Sequence, residues 1–119
     1  MSLSKPTHEQ LNRHVLFLQE QDGPSERELK AELSKCFTDL EIVQRAYLSR
    51  VQYEGAEGDF TVALCLSTAQ TTAVPTLLEK IGSIFGAMFG RDEHLDVLLL
   101  RADQENQLSK VCLPFFVYE

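Results

Sequence analysis

The chain has 119 residues, 44% hydrophobic and 24% charged, a balance that suits one folded domain with one core and excludes a disordered segment. Its 18 acidic against 11 basic residues give a net charge of -7. The summed field repels phosphate backbones and anionic lipid, so neither nucleic acid nor a membrane is expected as a partner.

Residues 1–13 are polar, with Pro6 and Thr7 early, and are expected to form a flexible arm ahead of a single domain over 14–119. They lack the apolar core of a secretory signal, and no apolar run elsewhere is long enough to cross a bilayer, so a cytoplasmic protein is expected. Cys36, Cys65 and Cys112 are odd in number, far apart and set among apolar neighbours. They fit a reducing compartment and read as inert core thiols.

His14–Gln19 is a short apolar run ended by Asp22-Gly23-Pro24, which predicts a first strand. Ser25 and Glu28 have the spacing of a capping box, predicting a helix that carries Leu29, Leu33, Cys36 and Phe37 on one face and breaks at Thr38-Asp39. Leu40–Tyr53 is rich in β-branched and aromatic residues and free of Gly and Pro; it predicts the central strand. Glu54–Asp59 predicts a hairpin loop. In the run that follows, Phe60, Val62, Leu64 and Leu66 alternate with Thr61, Ala63, Cys65 and Ser67, predicting a strand with its large side chains on the core.

Val74–Phe89 predicts a second helix, with Pro75 in its first turn, a broad apolar stripe, and Gly90 as its cap. Leu95–Leu100 suits an inner strand buried on both faces. Asp103 is placed to cap a turn of helix through Leu108, and Val111–Tyr118 predicts a last strand, on an edge or bulged because Pro114 cannot donate to a ladder. The pattern predicts an α+β domain: a mixed, mainly antiparallel sheet of about five strands with two main helices.

No reaction is specified by these residues. His8, His14 and His94 have no partner at a metal-ligand spacing, so no metal, cofactor or enzymatic activity is expected. An enzyme would need a polar cleft in which His94, Asp96 or Arg101 converge. Three features suggest an interaction surface instead. Arg45 and Tyr47 share one face of the central strand, where they either sit at a sheet margin or form a groove for a peptide or acidic ligand. Gly82 and Gly86 line one ridge of the second helix, and each costs about 1 kcal/mol in a helix interior, so they need close packing, on the chain's own sheet or against a second copy. Pro114, Phe115, Phe116 and Tyr118 load an edge strand with aromatic side chains on both faces.

Taken together, the capped helix, the segment VQRAYLSRV at Val43–Val51 and the terminal PFFVY at Pro114–Tyr118 resemble the C-terminal domain of the enhanced-serine-sensitivity protein SseB family. The resemblance covers His14–Glu119 and implies a strand, helix, strand, hairpin, helix and strand order with a closing aromatic motif. The chain departs from that pattern at Phe116, where a Tyr is more usual, and at Leu18-Gln19-Glu20, where a Gly-Gln-Pro-like ending is expected. The resemblance carries over no catalytic residues. It implies a non-enzymatic interaction or regulatory domain of the bacterial cytoplasm, its partner another protein or a second copy in a homodimer. The alternative is a small acidic secretion-type chaperone that binds an extended segment of a partner, a class whose members open with a helix rather than a strand.

Overall fold

The computed structural model describes residues 15–54, 60–69, 74–89 and 95–118. Its elements are β1 (Val15–Glu20), α1 (Pro24–Leu40), β2 (Val43–Tyr53), β3 (Thr61–Thr68), α2 (Val74–Phe89), β4 (Asp96–Leu99), α3 (Ala102–Leu108) and β5 (Phe116–Val117). The fold is α+β, as expected: a five-stranded sheet in the order β1-β2-β3-β4, with β5 also paired to β2. β1, β3 and β5 run antiparallel to β2, and β4 runs parallel to β3. Because β2 is 11 residues long, its outer side serves two partners. β1 takes the half around Ser49–Tyr53, and β5 takes Arg45 and Ala46.

The two-residue period of a strand sorts the core into two layers. Ala46 and Leu48 of β2 and Leu64 and Leu66 of β3 face the long helices. α1 meets them with Leu29, Leu33 and Phe37, and α2 with Leu77, Ile81 and Phe85, each set spaced by four residues so that it forms one stripe. On the opposite face Tyr47, Val51, Ala63, Cys65 and Leu98 are covered by Leu108 of α3 and by Cys112, with Val15 and Phe17 alongside. The face of small side chains on β3 is therefore a second core, closed by a helix of only seven residues.

Several boundaries differ from those read in the sequence. α1 starts at Pro24, with Gly23 at the N-cap and no side-chain cap, so the Ser25–Glu28 capping box does not form. Proline at the first helical position already has the helical φ and needs no partner for a missing N–H, which moves the start ahead of Ser25. The break expected at Thr38-Asp39 is absent: the helix runs on to Leu40, and the Thr38 and Ser34 hydroxyls donate to the carbonyls of Ser34 and Lys30 inside it, at 2.9 and 2.7 Å. The helix ends instead at Glu41, whose φ of 56° turns the chain while its amide donates to the Phe37 carbonyl.

Phe60 lies outside β3 and is exposed, with the Arg50 guanidinium 5.0 Å from its ring centre. β4 is not an inner strand: it stands at the end of the strand order, and is buried on both faces because Val97 joins one core and Leu98 the other. The last strand is two residues, not the whole of Val111–Tyr118. The N-terminal arm with His8 and His14, the 55–59 part of the hairpin loop, Gly90 with the turn after it, and His94 lie outside the described residues. Among the described residues no helix is long and apolar enough to cross a membrane.

Candidate functional site: a polar clamp and a sheet margin

Arg45 and Tyr47 do share a face, and α3 explains what they do there. Glu105, on the first turns of α3, accepts from Arg45 Nε at 2.5 Å and, through its other oxygen, from Nη2 at 3.0 Å. The same carboxylate accepts from the Tyr47 hydroxyl at 2.6 Å, and Arg45 Nη2 also donates to Ser67 Oγ at 3.1 Å. Such a forked, charge-assisted pair fixes direction as well as distance. It locks α3 to β2 and β3.

The electrostatics follow from this geometry. The hydrogen bond from Arg45 holds the Glu105 carboxyl below the ordinary carboxylate range, against the opposing pull of burial. Glu105 in turn raises Arg45 further. Burial first, and the neighbouring carboxylate second, push the Tyr47 phenol up to about 12. A carboxylate so held is ionised and fully engaged, which suits structure and not proton transfer. Tyr47 supplies a test. Its raised pKa contributes stability that is complete below the unfolded value near 10 and is lost as pH rises through about 12. Unfolding free energy is expected to fall by about 2 kcal/mol over that range in the unmodified chain, and Tyr47→Phe is expected to flatten this limb of a urea-unfolding series.

Of the other groups named from the sequence, Asp96 and Arg101 have these contacts among the described residues. Asp96 is buried and accepts from the Tyr53 hydroxyl at 2.6 Å, whereas Arg101 is exposed and paired with Asp103 at 3.2 Å. Burial raises the thiols of Cys36, Cys65 and Cys112, the last to about 11. Among the described residues no group of three His, Cys, Asp or Glu side chains could hold a metal ion. Gly82 and Gly86 are half-buried and flank the core stripe of α2, which is made by Leu77, Ile81 and Phe85.

The terminal aromatic residues divide. Phe115 and Phe116 turn inward onto Phe37, with ring centres 6.4 and 5.5 Å away, and Pro114 is half-buried. Tyr118 points outward, its hydroxyl donating to Glu41 at 2.6 Å. Phe115 and Tyr118 donate their amides to the carbonyls of Ala46 and Gln44, and Gln21 donates to Leu48, so the C-terminal segment continues the line of β1 along β2. The Leu113 amide reaches Glu20 of β1 at 3.4 Å. Along this one margin stand Leu16, Leu113, Val117 and Tyr118, exposed by 55, 72, 50 and 42%. Leu16 and Leu113 were not legible as surface residues, since both sit in apolar runs that read as core.

No curated protein and no solved structure matches the chain. A family model, described as the SseB protein C-terminal domain, matches residues 13–117. That match spans the described strands and helices from β1 to β5, including the clamp and the margin, and the chain belongs to the SseB C-terminal domain family.

Proposed function

We propose that the chain is a non-enzymatic interaction or regulatory domain of the bacterial cytoplasm, which engages another protein chain, a second copy included, along the margin formed by β1 and the segment from Leu113 to Tyr118. The observation that carries this reading is that four large exposed side chains, Leu16, Leu113, Val117 and Tyr118, belong to β1 and the C-terminal segment, which among the described residues pair only with β2 on their inner side. A sheet edge offers unpaired backbone groups, and an apolar one invites an added strand or a flat apolar segment. Leu113, 72% exposed, has the least reason to be there otherwise. The clamp supports the same reading, since its charged groups are consumed in holding α3. The unpaired thiols suit a reducing cytoplasm. The described fold begins on strand β1, as the reading as an interaction domain has it.

Site-specific photo-crosslinking in the producing cell tests this. A photoreactive phenylalanine at Leu16 or Leu113 is expected to give a discrete adduct, whose mass says whether the partner is a second copy. The same group at exposed Glu32 on α1 is expected to give none, and Val117→Asp is expected to remove the edge adduct. No adduct from the edge, or the same pattern from Glu32, would overturn the reading.

A further inference from the structure

The sheet face under the long helices opens at one end into a cleft of about 100 Å³, lined by Leu29, Leu48, Val62, Phe85 and Phe89, with Glu26 as its polar member. The Phe85 and Phe89 rings stack with centres 4.9 Å apart, which makes one wall flat and apolar. Arg50 lies beside this cleft, paired across the sheet with Val62. Its guanidinium sits over Phe60 and, among the described residues, hydrogen-bonds only through Nε. Both terminal nitrogens are left over.

The Gln21 amide bridges these two opposite charges. Its nitrogen donates to Glu26 Oε2 at 2.7 Å, and its oxygen accepts from Arg50 Nε at 2.7 Å. One donor and one acceptor on adjacent atoms, set between a carboxylate and a guanidinium at the side of an apolar cleft, reproduce in neutral form what a zwitterion offers in charged form. An ammonium facing Glu26 and a carboxylate facing Arg50 make charge-assisted bonds, stronger than those of the amide they replace. A zwitterion has no net charge, so the chain's -7 does not repel it as it repels a dicarboxylate. The cleft sets the side chain: its apolar walls and its space of about 100 Å³ suit a branched aliphatic group.

We propose that this cleft binds a free apolar α-amino acid of valine to leucine size, with its ammonium on Glu26, its carboxylate on Arg50 and its side chain against Leu29, Leu48 and Phe85, displacing the Gln21 amide. The site adjoins the β1–β5 margin at Gln21 but uses none of its exposed side chains, and it stands or falls without the proposed partner contact.

An NMR titration of the full chain with L-leucine, to about 10 mM, decides the matter. Saturable shifts are expected at Gln21, Glu26, Leu48, Val62 and Phe85. Glycine, N-acetyl-leucine and leucine amide, each lacking one of the three contacts, are expected to bind at least about tenfold more weakly. Arg50→Met and Glu26→Gln are expected to weaken leucine by a similar factor with an unchanged circular dichroism spectrum. If a variant fails to fold, the blocked ligands on the unmodified chain still decide. No shifts with leucine, shifts centred elsewhere, or equal binding of the two blocked forms would overturn the proposal.

Discussion

Phe37→Ala is expected to cost about 4 kcal/mol of unfolding free energy, the upper part of the range for truncating a buried aromatic residue. Phe37 is fully buried on α1 and touches the rings of Phe115 and Phe116, so the substitution removes the apolar transfer term, leaves a cavity and breaks two aromatic contacts at once. A domain of this size has about 5–15 kcal/mol in total, so this one side chain accounts for a large share. The effect should also be local. The C-terminal segment is hydrogen-bonded to β2 by a few amides and anchored by those rings, and the Phe115 and Tyr118 amides should lose exchange protection before the centre of β2 does. Urea unfolding and hydrogen exchange read the two parts. A loss under about 1 kcal/mol, or unchanged protection at Phe115, would show that the segment is held by something other than Phe37.

Glu105→Ala is expected to cost about 3 kcal/mol. It leaves the buried Tyr47 hydroxyl without an acceptor, a loss of about 1–3 kcal/mol, and strands the Arg45 charge beside β3. Arg45 is partly exposed, so water recovers some of its solvation and keeps the total below that of a fully buried pair. The pH dependence gives an independent readout. The depressed pKa of Glu105 means that its contribution is complete above the unfolded carboxyl value of about 4.3 and is lost as pH falls below it through the folded value. The unmodified chain is therefore expected to lose stability faster below about pH 4.3 than Glu105→Ala does. A double-mutant cycle with Arg45→Met should show strong coupling, since the two side chains share one set of hydrogen bonds.

The fold was legible wherever one element carried its own periodicity. The four-residue spacing of Leu29, Leu33 and Phe37, and the run from Val43 to Tyr53, are local signals that survive into the structure. The boundaries were less so, because Ser25 and Thr38 carry signals that their neighbours override: Pro24 at the helix start, and hydroxyls that bond within the helix. The clamp was half legible. Arg45 and Tyr47 share a parity that two-residue alternation gives at once, but their partner lies sixty and fifty-eight positions on. The available signal was a carboxylate three residues before buried Leu108, on the apolar side of a short helix. Leu113 and Leu16 were hidden for the opposite reason: hydrophobicity predicts burial, and an apolar residue left in water shows itself only when the strand order places it on an edge.

In this domain what holds the fold together is separate from what it offers to a partner. The most direct measurement of that separation is the photo-crosslinking yield from Leu113, taken at low temperature where every variant is folded, in the unmodified, Glu105→Gln and Val117→Asp backgrounds. Glu105→Gln is expected to lower the unfolding temperature but keep the adduct, and Val117→Asp to lose the adduct, with at most a smaller change in unfolding temperature from the new carboxylate opposite Arg45. An adduct that disappears with Glu105→Gln and persists with Val117→Asp would place the functional contact at the clamp and contradict the assignment to the sheet margin.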